Sequence, residues 1–501
     1  MSISRRPLPH AAAAVLLVLA AAAFPARSEG DTLNARLEID AEAASGLPAA
    51  SDLAAGVERL FDSQLGSLVS VDFGAPEGAP ASGRAVRIRV RPDGGGYVVS
   101  TDFSADGQLR PGTMSSLDSR VPAASPSSLA ATISSDIAFL YFSARGLSTL
   151  PLSPPPVLLA SVGLEALGEL TGWDTKELEP VGISGHGDEF TLCFAHRYLT
   201  LGPYATVNED TARDLLAQPG QEPLQISGAA TGLDGELVLL SQQAGSLVSV
   251  SPRLGTRAVV PAPGLSALPA RLLGSNLVLS LPGDGSAGLL AYTRDGTRGP
   301  VRVAVAGSYV SAMDRDAEGN IWAWDAGERR IRVLTATGRE IHAIRPLLSA
   351  STMPLPQQLA VFDDGSFLLA GSSEVWKFES SGIPVWRLSR IPGRPGESLP
   401  ASMDLAVDRS AGTIVLLDQQ SRRLLVFSPA PTPDQAPLVP VLARLDGRRS
   451  ADLQQASTLA RTLGLDLAAW SYADREAAGG GSERDLTLAR RSLLSDKAAA
   501  F

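Results

Sequence analysis

The chain has 501 residues, room for about three to four domains at roughly 150 residues each. Hydrophobic residues make up 44% and charged residues 19%, so packed cores can form and wholesale disorder is excluded. A formal charge of −10 excludes a nucleic-acid binder that works through a basic surface.

The first thirty residues read as an export signal. Arg5 and Arg6 form a positive start, Ala11 to Ala23 is apolar, and Ala26 and Ser28 stand at −3 and −1 of a cleavage point before Glu29. Pro7-Leu8-Pro9 after the arginine pair favours ordinary secretion over the twin-arginine route. Residues 1–28 are therefore expected to be a signal peptide, and the mature chain to be periplasmic or secreted. No later apolar run approaches the length of a membrane span, so no integral span is expected. Cys193 is the only cysteine. It excludes an internal disulfide, a zinc site of several thiolates and a lipidated N-terminus. Its setting, Phe190-Thr191-Leu192-Cys193-Phe194, predicts a buried structural thiol.

Residues 29–149 read as a small α+β domain. A short strand over Ala35 to Asp40 precedes a helix whose Leu53, Val57, Leu60, Phe61 and Leu65 share one face. Arg87, Arg89 and Arg91 alternate with Val86, Ile88 and Val90, as in a half-buried strand. Asp93-Gly94-Gly95-Gly96 turns the chain into a second strand, Tyr97 to Phe103, and a third is expected around Leu109 to Leu117. Ser125-Pro126 predicts the start of a helix with Leu129, Ile133, Ile137, Leu140 and Tyr141 on one face. The arginine stripe predicts a solvated strand face, with an anion site as the alternative.

Residues 150–180, with four prolines between Leu150 and Pro156, read as a linker and lead-in. Beyond them the chain repeats itself. Asp314-Arg315-Asp316-Ala317-Glu318-Gly319-Asn320-Ile321-Trp322-Ala323-Trp324-Asp325 leads to Arg329-Arg330 and a further strand. Asp408-Arg409-Ser410-Ala411-Gly412-Thr413-Ile414-Val415-Leu416-Leu417-Asp418 leads likewise to Arg422-Arg423. Another copy runs through Asp363-Asp364-Gly365-Ser366-Phe367. Weaker copies begin at Gly232 and Leu272, and a degenerate one fits Gly187-Asp188-Glu189-Phe190. The marker residues Glu189, Glu236, Asn276, Asn320, Ser366 and Thr413 follow at intervals of 47, 40, 44, 46 and 47 residues. Periods of that size, with about four short strands each, predict propeller blades. The expectation is a mainly β fold: a β-propeller of about six blades over 181–440, preceded by the α+β domain and followed by a helical tail, 441–501. In the tail, Leu453, Leu459, Leu463, Leu467 and Trp470 suit helices that pack on another domain, and Ser482 with Asp485 suits the start of a last helix.

These copies resemble the NHL-repeat family of β-propellers over about half the chain, most strongly at 309–346 and 402–428. An export signal, a small α/β domain and a six-bladed propeller together are similar in layout to TolB-type proteins. The NHL resemblance implies a protein-binding platform. Related propellers that are lactonases or lyases with a metal in the central channel supply the alternative.

The residues carry little catalytic signal. His186, His196 and His342 show no metal-ligand spacing, and neither a phosphate-binding loop nor a nucleophile elbow is present. Asp314, Asp325, Asp408 and Asp418 recur at one place in each copy, which predicts that they bond turn backbone rather than hold a metal. Trp322, Trp324 and Trp376 are expected to pack between blades. The sequence thus assigns no catalytic, cofactor-binding or metal-binding residue and no cofactor, and leaves any binding residues open. The function it favours is an exported, non-catalytic scaffold with a protein partner in the cell envelope, open also to a glycan or small-molecule ligand. A metal-dependent propeller enzyme acting on a small molecule is the alternative.

Overall fold

The computed structural model describes residues 31–40, 47–65, 69–74, 84–93, 96–104, 116–122, 126–145, 152–165, 167, 173–174, 179–186, 189–202, 206–207, 213–214, 225–231, 237–241, 243–250, 257–261, 270–274, 277–280, 288–291, 301–304, 310–348, 356–392, 396–429, 450–462 and 466–478. The signal peptide, the markers Glu236 and Asn276, and the helix expected from Ser482 lie outside them. The chain divides between Arg120 and Val121 into two compact units.

The first unit contains β1 (Asp31–Ile39), α1 (Ala50–Leu65), β2 (Val69–Asp72), β3 (Ala85–Asp93), β4 (Gly96–Ser104) and β5 (Ser116–Pro122), with sheet order β2-β1-β3-β4-β5. Strand β1 is parallel to both β2 and β3, and α1 supplies the crossover that parallel neighbours require. Alternation decides which face is buried. Leu33, Ala35, Val69, Val71, Val86, Ile88 and Val90 are buried together with Leu53, Val57, Phe61 and Leu65 of α1. The fifth strand is described over Ser116–Pro122; the expected stretch from Leu109 up to residue 115 lies outside the described residues.

The second unit opens with α2 (Pro126–Arg145) and β6 (Val157–Gly163). Five regular four-stranded blades then follow the repeat. They are β12 (Gly228–Thr231), β13 (Leu237–Ser241), β14 (Ser246–Val250) and β15 (Arg257–Pro261); β16 (Ala270–Gly274), β17 (Leu277–Ser280), β18 (Gly288–Ala291) and β19 (Val301–Ala304); β20 (Val310–Arg315), β21 (Ile321–Asp325), β22 (Arg330–Leu334) and β23 (Glu340–Ile344); β24 (Gln358–Val361), β25 (Phe367–Gly371), β26 (Glu374–Phe378) and β27 (Pro384–Leu388); and β28 (Met403–Val407), β29 (Ile414–Asp418) and β30 (Arg423–Ser428), completed by β6. Ahead of them, β7 (Pro180–His186), β8 (Glu189–Phe194), β9 (Arg197–Gly202), β10 (Thr206–Val207) and β11 (Arg213–Asp214) make an irregular five-stranded sheet.

Among the described residues, regular blades therefore number five rather than the expected six or so, and the degenerate copy at Glu189 forms the irregular sheet. Its outer edge departs from the pattern because two short strands, β10 and β11, share β9. The innermost strands β7, β12, β16, β20, β24 and β28 neighbour one another in turn, and β28 returns to β7. Blade boundaries are apolar. Cys193 packs with Tyr198, Leu237, Leu239 and Val248; Trp322, Trp324, Phe367, Trp376 and Phe378 form one cluster; and Leu405, Leu416, Leu425 and Phe427 lie in another. Each such fully buried large side chain contributes about 1.5–3 kcal/mol over its exposed state.

Two flanking pieces finish the second unit. Strand β6 lies in the stretch read as linker and pairs antiparallel with β30 as the last blade's outermost strand. Helices α3 (Ser450–Thr462) and α4 (Asp466–Ala478) bury Leu453, Ala456, Ala460, Ala468, Ala469 and Tyr472 against Ala160, Val162, Phe190 and Leu199. Helix α2, which the sequence grouped with the N-terminal domain, packs on β23.

Candidate functional site in the central channel

The turn between the first two strands of each copy is built by the residues the sequence singled out. Gly319, Gly365 and Gly412 hold φ of 83°, 77° and 75°, a left-handed conformation that glycine takes without steric cost. The marker after each glycine immediately precedes β21, β25 or β29. Asp408 Oδ1 accepts hydrogen bonds from Ser410 N, Ser410 Oγ and Ala411 N at 2.8–2.9 Å. Its counterpart is Asp316, not Asp314. Asp316 Oδ1 accepts from Asn320 N at 2.7 Å, and its Oδ2 accepts from Asn320 Nδ2 and Trp322 Nε1, both at 2.9 Å.

The second turn of the blade works the same way. Asp325 Oδ1 accepts from Gly327 N and Glu328 N, and its Oδ2 pairs with Arg332 Nε at 2.8 Å. Asp418 accepts from Ser421 N and pairs with Arg423 Nε at 3.1 Å. Asp325, Asp408 and Asp418 thus bond turn backbone, as the repetition predicted. Asp314 does not.

Asp314 belongs to a polar cavity of about 340 Å³ bounded by the inner strands β7, β12, β20, β24 and β28. Its Oδ2 accepts from Val361 N of the next blade at 2.7 Å, and its Oδ1 pairs with Arg409 at 2.8 Å. Burial raises its pKa above the ordinary aspartate value, and the Arg409 charge offsets part of that rise. Arg409 also donates to Arg315 O, so one guanidinium joins two blades that have another between them. At the ring seam, Asp404 Oδ2 accepts from Ile183 N at 2.9 Å and its Oδ1 accepts from Leu405 N at 3.0 Å. A Cβ on Gly182 would stand 2.7 Å from Asp404 Oδ2, so a glycine is required for that approach. Ser184 Oγ accepts from Thr231 N at 2.6 Å and donates to Thr231 Oγ1 at 2.8 Å, fastening β7 to β12.

Sequence reasoning missed Asp404 and the Ser184–Thr231 pair. It also exchanged Asp314 with Asp316, because the Asp-Arg dipeptides at 314 and 408 look alike. The strand register brings Asp316 and Asp408 together, since each directly follows the residue, Arg315 or Val407, that pairs with Ile321 or Ile414. The histidines are not brought together: His186 ends β7, His196 lies between β8 and β9, and His342 is in β23. Burial pushes the His342 pKa down to about 4. Cys193 is fully buried and burial raises its pKa, chemistry unsuited to a nucleophile. Trp322, Trp324 and Trp376 are buried, with Trp322 and Trp376 donating to Asp316 and Glu374. Among the described residues, no group of three or more His, Cys, Asp or Glu is placed to hold a metal ion.

In the first unit, the arginine stripe is interleaved with acid. Glu38 stands 3.1–3.8 Å from Arg36, Arg87 and Arg89; Asp102 stands 3.7 Å from Arg89; and Asp93 stands 3.5 Å from Arg120. The face is a solvated one on which three acids stand beside four of the arginines.

No protein-family model matches the chain, nor does any curated protein. Solved structures similar to it include the Cps50 (Swd1) β-propeller domain of Myceliophteria thermophila, at 12% identity over 50% of this chain and 96% of that one, with a TM-score of 0.33. A streptogramin B lyase matches at 17% identity over 50% of this chain and 83% of that one, with a TM-score of 0.33. A catalytically inactive virginiamycin B lyase from Staphylococcus aureus, solved with quinupristin, matches at 12% identity over 51% of this chain and 82% of that one, with a TM-score of 0.35. The strand topology of the second unit defines the class: a β-propeller, with few helices.

Proposed function

We propose that this chain is an exported, non-catalytic propeller scaffold of NHL-repeat type that engages a protein partner in the cell envelope. One observation carries the reading: the carboxylates at the channel and turns are engaged in holding backbone. Asp314 and Asp404 fasten neighbouring blades, while Asp316, Asp325, Asp408 and Asp418 hold turns. Such groups serve rigidity, and a closed ring of blades presents loops on two broad faces. Residues 1–28 supply the export signal in this reading, and the N-terminal sheet domain and helical tail supply further contact surface.

Two measurements test it. N-terminal mass analysis of the protein from fractionated cells is expected to find a chain beginning near Glu29 outside the cytoplasm; the intact form in the cytoplasm would remove the export part. Cross-linking in the envelope fraction is expected to recover one stoichiometric protein partner equally well from wild type and from Asp404→Asn. Turnover of a lactone substrate, abolished in a folded Asp404→Asn protein, would replace the scaffold reading with an enzymatic one.

A further inference from the structure

Beyond the scaffold role, we infer that the central channel is a binding site for a small, neutral, polyhydroxylated molecule. The cavity is asymmetric. Among the described residues, its wall from β7 and β12 carries mostly short residues, Gly182, Ser184, Gly185 and Ser227 to Thr231, and the facing wall from β20, β24 and β28 carries the long polar ones. The space therefore exists because two inner strands present little beyond backbone to the channel. At about 340 Å³ it falls within the range of small-molecule sites.

The charge of the lining selects the ligand class. Among the described residues, two carboxylates, Asp314 and Asp404, and two guanidiniums, Arg315 and Arg409, line the cavity, so their formal charges cancel. Asp314 is paired with Arg409, and Asp404 is bound by two backbone amides. A charged ligand would lose hydration in such a site and meet a described lining of no net formal charge. Among the described residues, the remaining polar side-chain groups of the lining are amides and hydroxyls. Gln358 lies at the start of β24, and Ser402 Oγ donates to Gln419 Oε1 at 3.0 Å. Amides and hydroxyls both donate and accept, which matches ligand hydroxyls, groups that also do both.

Saturation-transfer NMR on the full mature chain tests this with a charge series on one carbon skeleton, D-glucose, gluconate and glucosamine, and with myo-inositol as a second neutral probe. Saturable binding is the readout, because sugars at high concentration stabilise any fold by exclusion from its surface. The expected result is saturable binding of D-glucose or myo-inositol and at least tenfold weaker binding of gluconate and glucosamine. Affinity should fall at least tenfold in Gln358→Leu or Gln419→Leu, two variants whose melting temperatures without probe report that the fold is kept. No saturable signal from either neutral probe, charged probes binding as well as neutral ones, or unchanged affinity in both folded variants would overturn the inference.

Discussion

Asp325 is fully buried, and its carboxylate serves two turn amides and the Arg332 guanidinium at once. Removing it leaves the Gly327 and Glu328 amides without their acceptor, while Arg332 keeps Glu340 at 2.7 Å and Glu328 at 3.0 Å. Asp325→Ala should therefore cost about 1–3 kcal/mol for each amide left unpaired, read by denaturant unfolding. The same turn shows the opposite effect one blade on. Arg329, Ser373 and Arg422 occupy equivalent turn positions with φ of 54°, 63° and 51°, a conformation that costs a side chain about 1–2 kcal/mol. Ser373→Gly should gain up to about 1 kcal/mol, part of the relief being offset by glycine's greater entropy loss. His342 supplies a pH dependence. Its folded pKa, pushed down to about 4 by burial, lies below the unfolded value of about 6.5, so protonation favours the unfolded chain. Stability from this group is complete above about pH 6.5 and falls as the pH drops towards 4, by on the order of 2 kcal/mol. In urea titrations over that range, His342→Asn should lose this slope. At this scale the sequence revealed residues that repeat: the turn aspartates and glycines recur because every blade needs the same turn. Asp404 was invisible because its role exists only where the last blade meets the first.

Strand edges explain the flanking elements. An outermost strand exposes a row of unpaired N–H and C=O groups, a template for unwanted pairing. The last blade's edge is β6, and α4 covers it: Ser161 N donates to Tyr472 Oη at 3.2 Å and Gly163 N to Ser471 Oγ at 3.3 Å. Small residues permit this contact, since Ala456, Ala460, Ala468, Ala469 and Ala473 are buried where α3 and α4 meet the blades. Tyr472→Phe keeps the ring but leaves the Ser161 amide without that acceptor. It should cost about 1–3 kcal/mol and speed hydrogen exchange at Ser161; unchanged exchange there would contradict the assigned edge role. Two blades away, α2 docks through Arg345, whose N donates to Ser135 Oγ at 2.6 Å and whose Nε pairs with Asp136 at 3.1 Å, both partners being buried. Blade periodicity was legible because each copy repeats an apolar strand, a glycine turn and an apolar strand within itself. Strand β6 was not, because its partner β30 lies at the far end of the repeat and its own surroundings are rich in proline. Helix α2 was legible as a helix, but its apolar spacing says nothing about which unit it joins.

The second unit is a ring held from both sides of its seam. Inside, Asp404 reaches from β28 to Ile183 of β7; outside, β6 completes the last blade and α3–α4 lie over β6 and the irregular first sheet. The N-terminal lead-in runs along the outer edges in order, with α2 on β23, Ser153 N donating to Val385 O of β27 at 2.7 Å, and β6 in the last blade. Its first and last strands are thus locked by chain from both ends. The propeller class was legible from the 40–47-residue spacing of the markers, while the irregular first sheet was not, because the signal fades towards residue 181. The structure gives the channel and turn carboxylates the task of holding backbone rather than a metal. Thermal unfolding of the chain with chelator, and then with added Ca²⁺, Mg²⁺ or Zn²⁺, tests it directly. A metal bound to the fold at a hundredfold over its dissociation constant would add about 2.7 kcal/mol, a shift of several degrees at about 2–4 °C per kcal/mol. That task predicts an unchanged midpoint throughout; a reproducible rise of several degrees with one of these ions, lost in Asp314→Asn or Asp404→Asn, would contradict it.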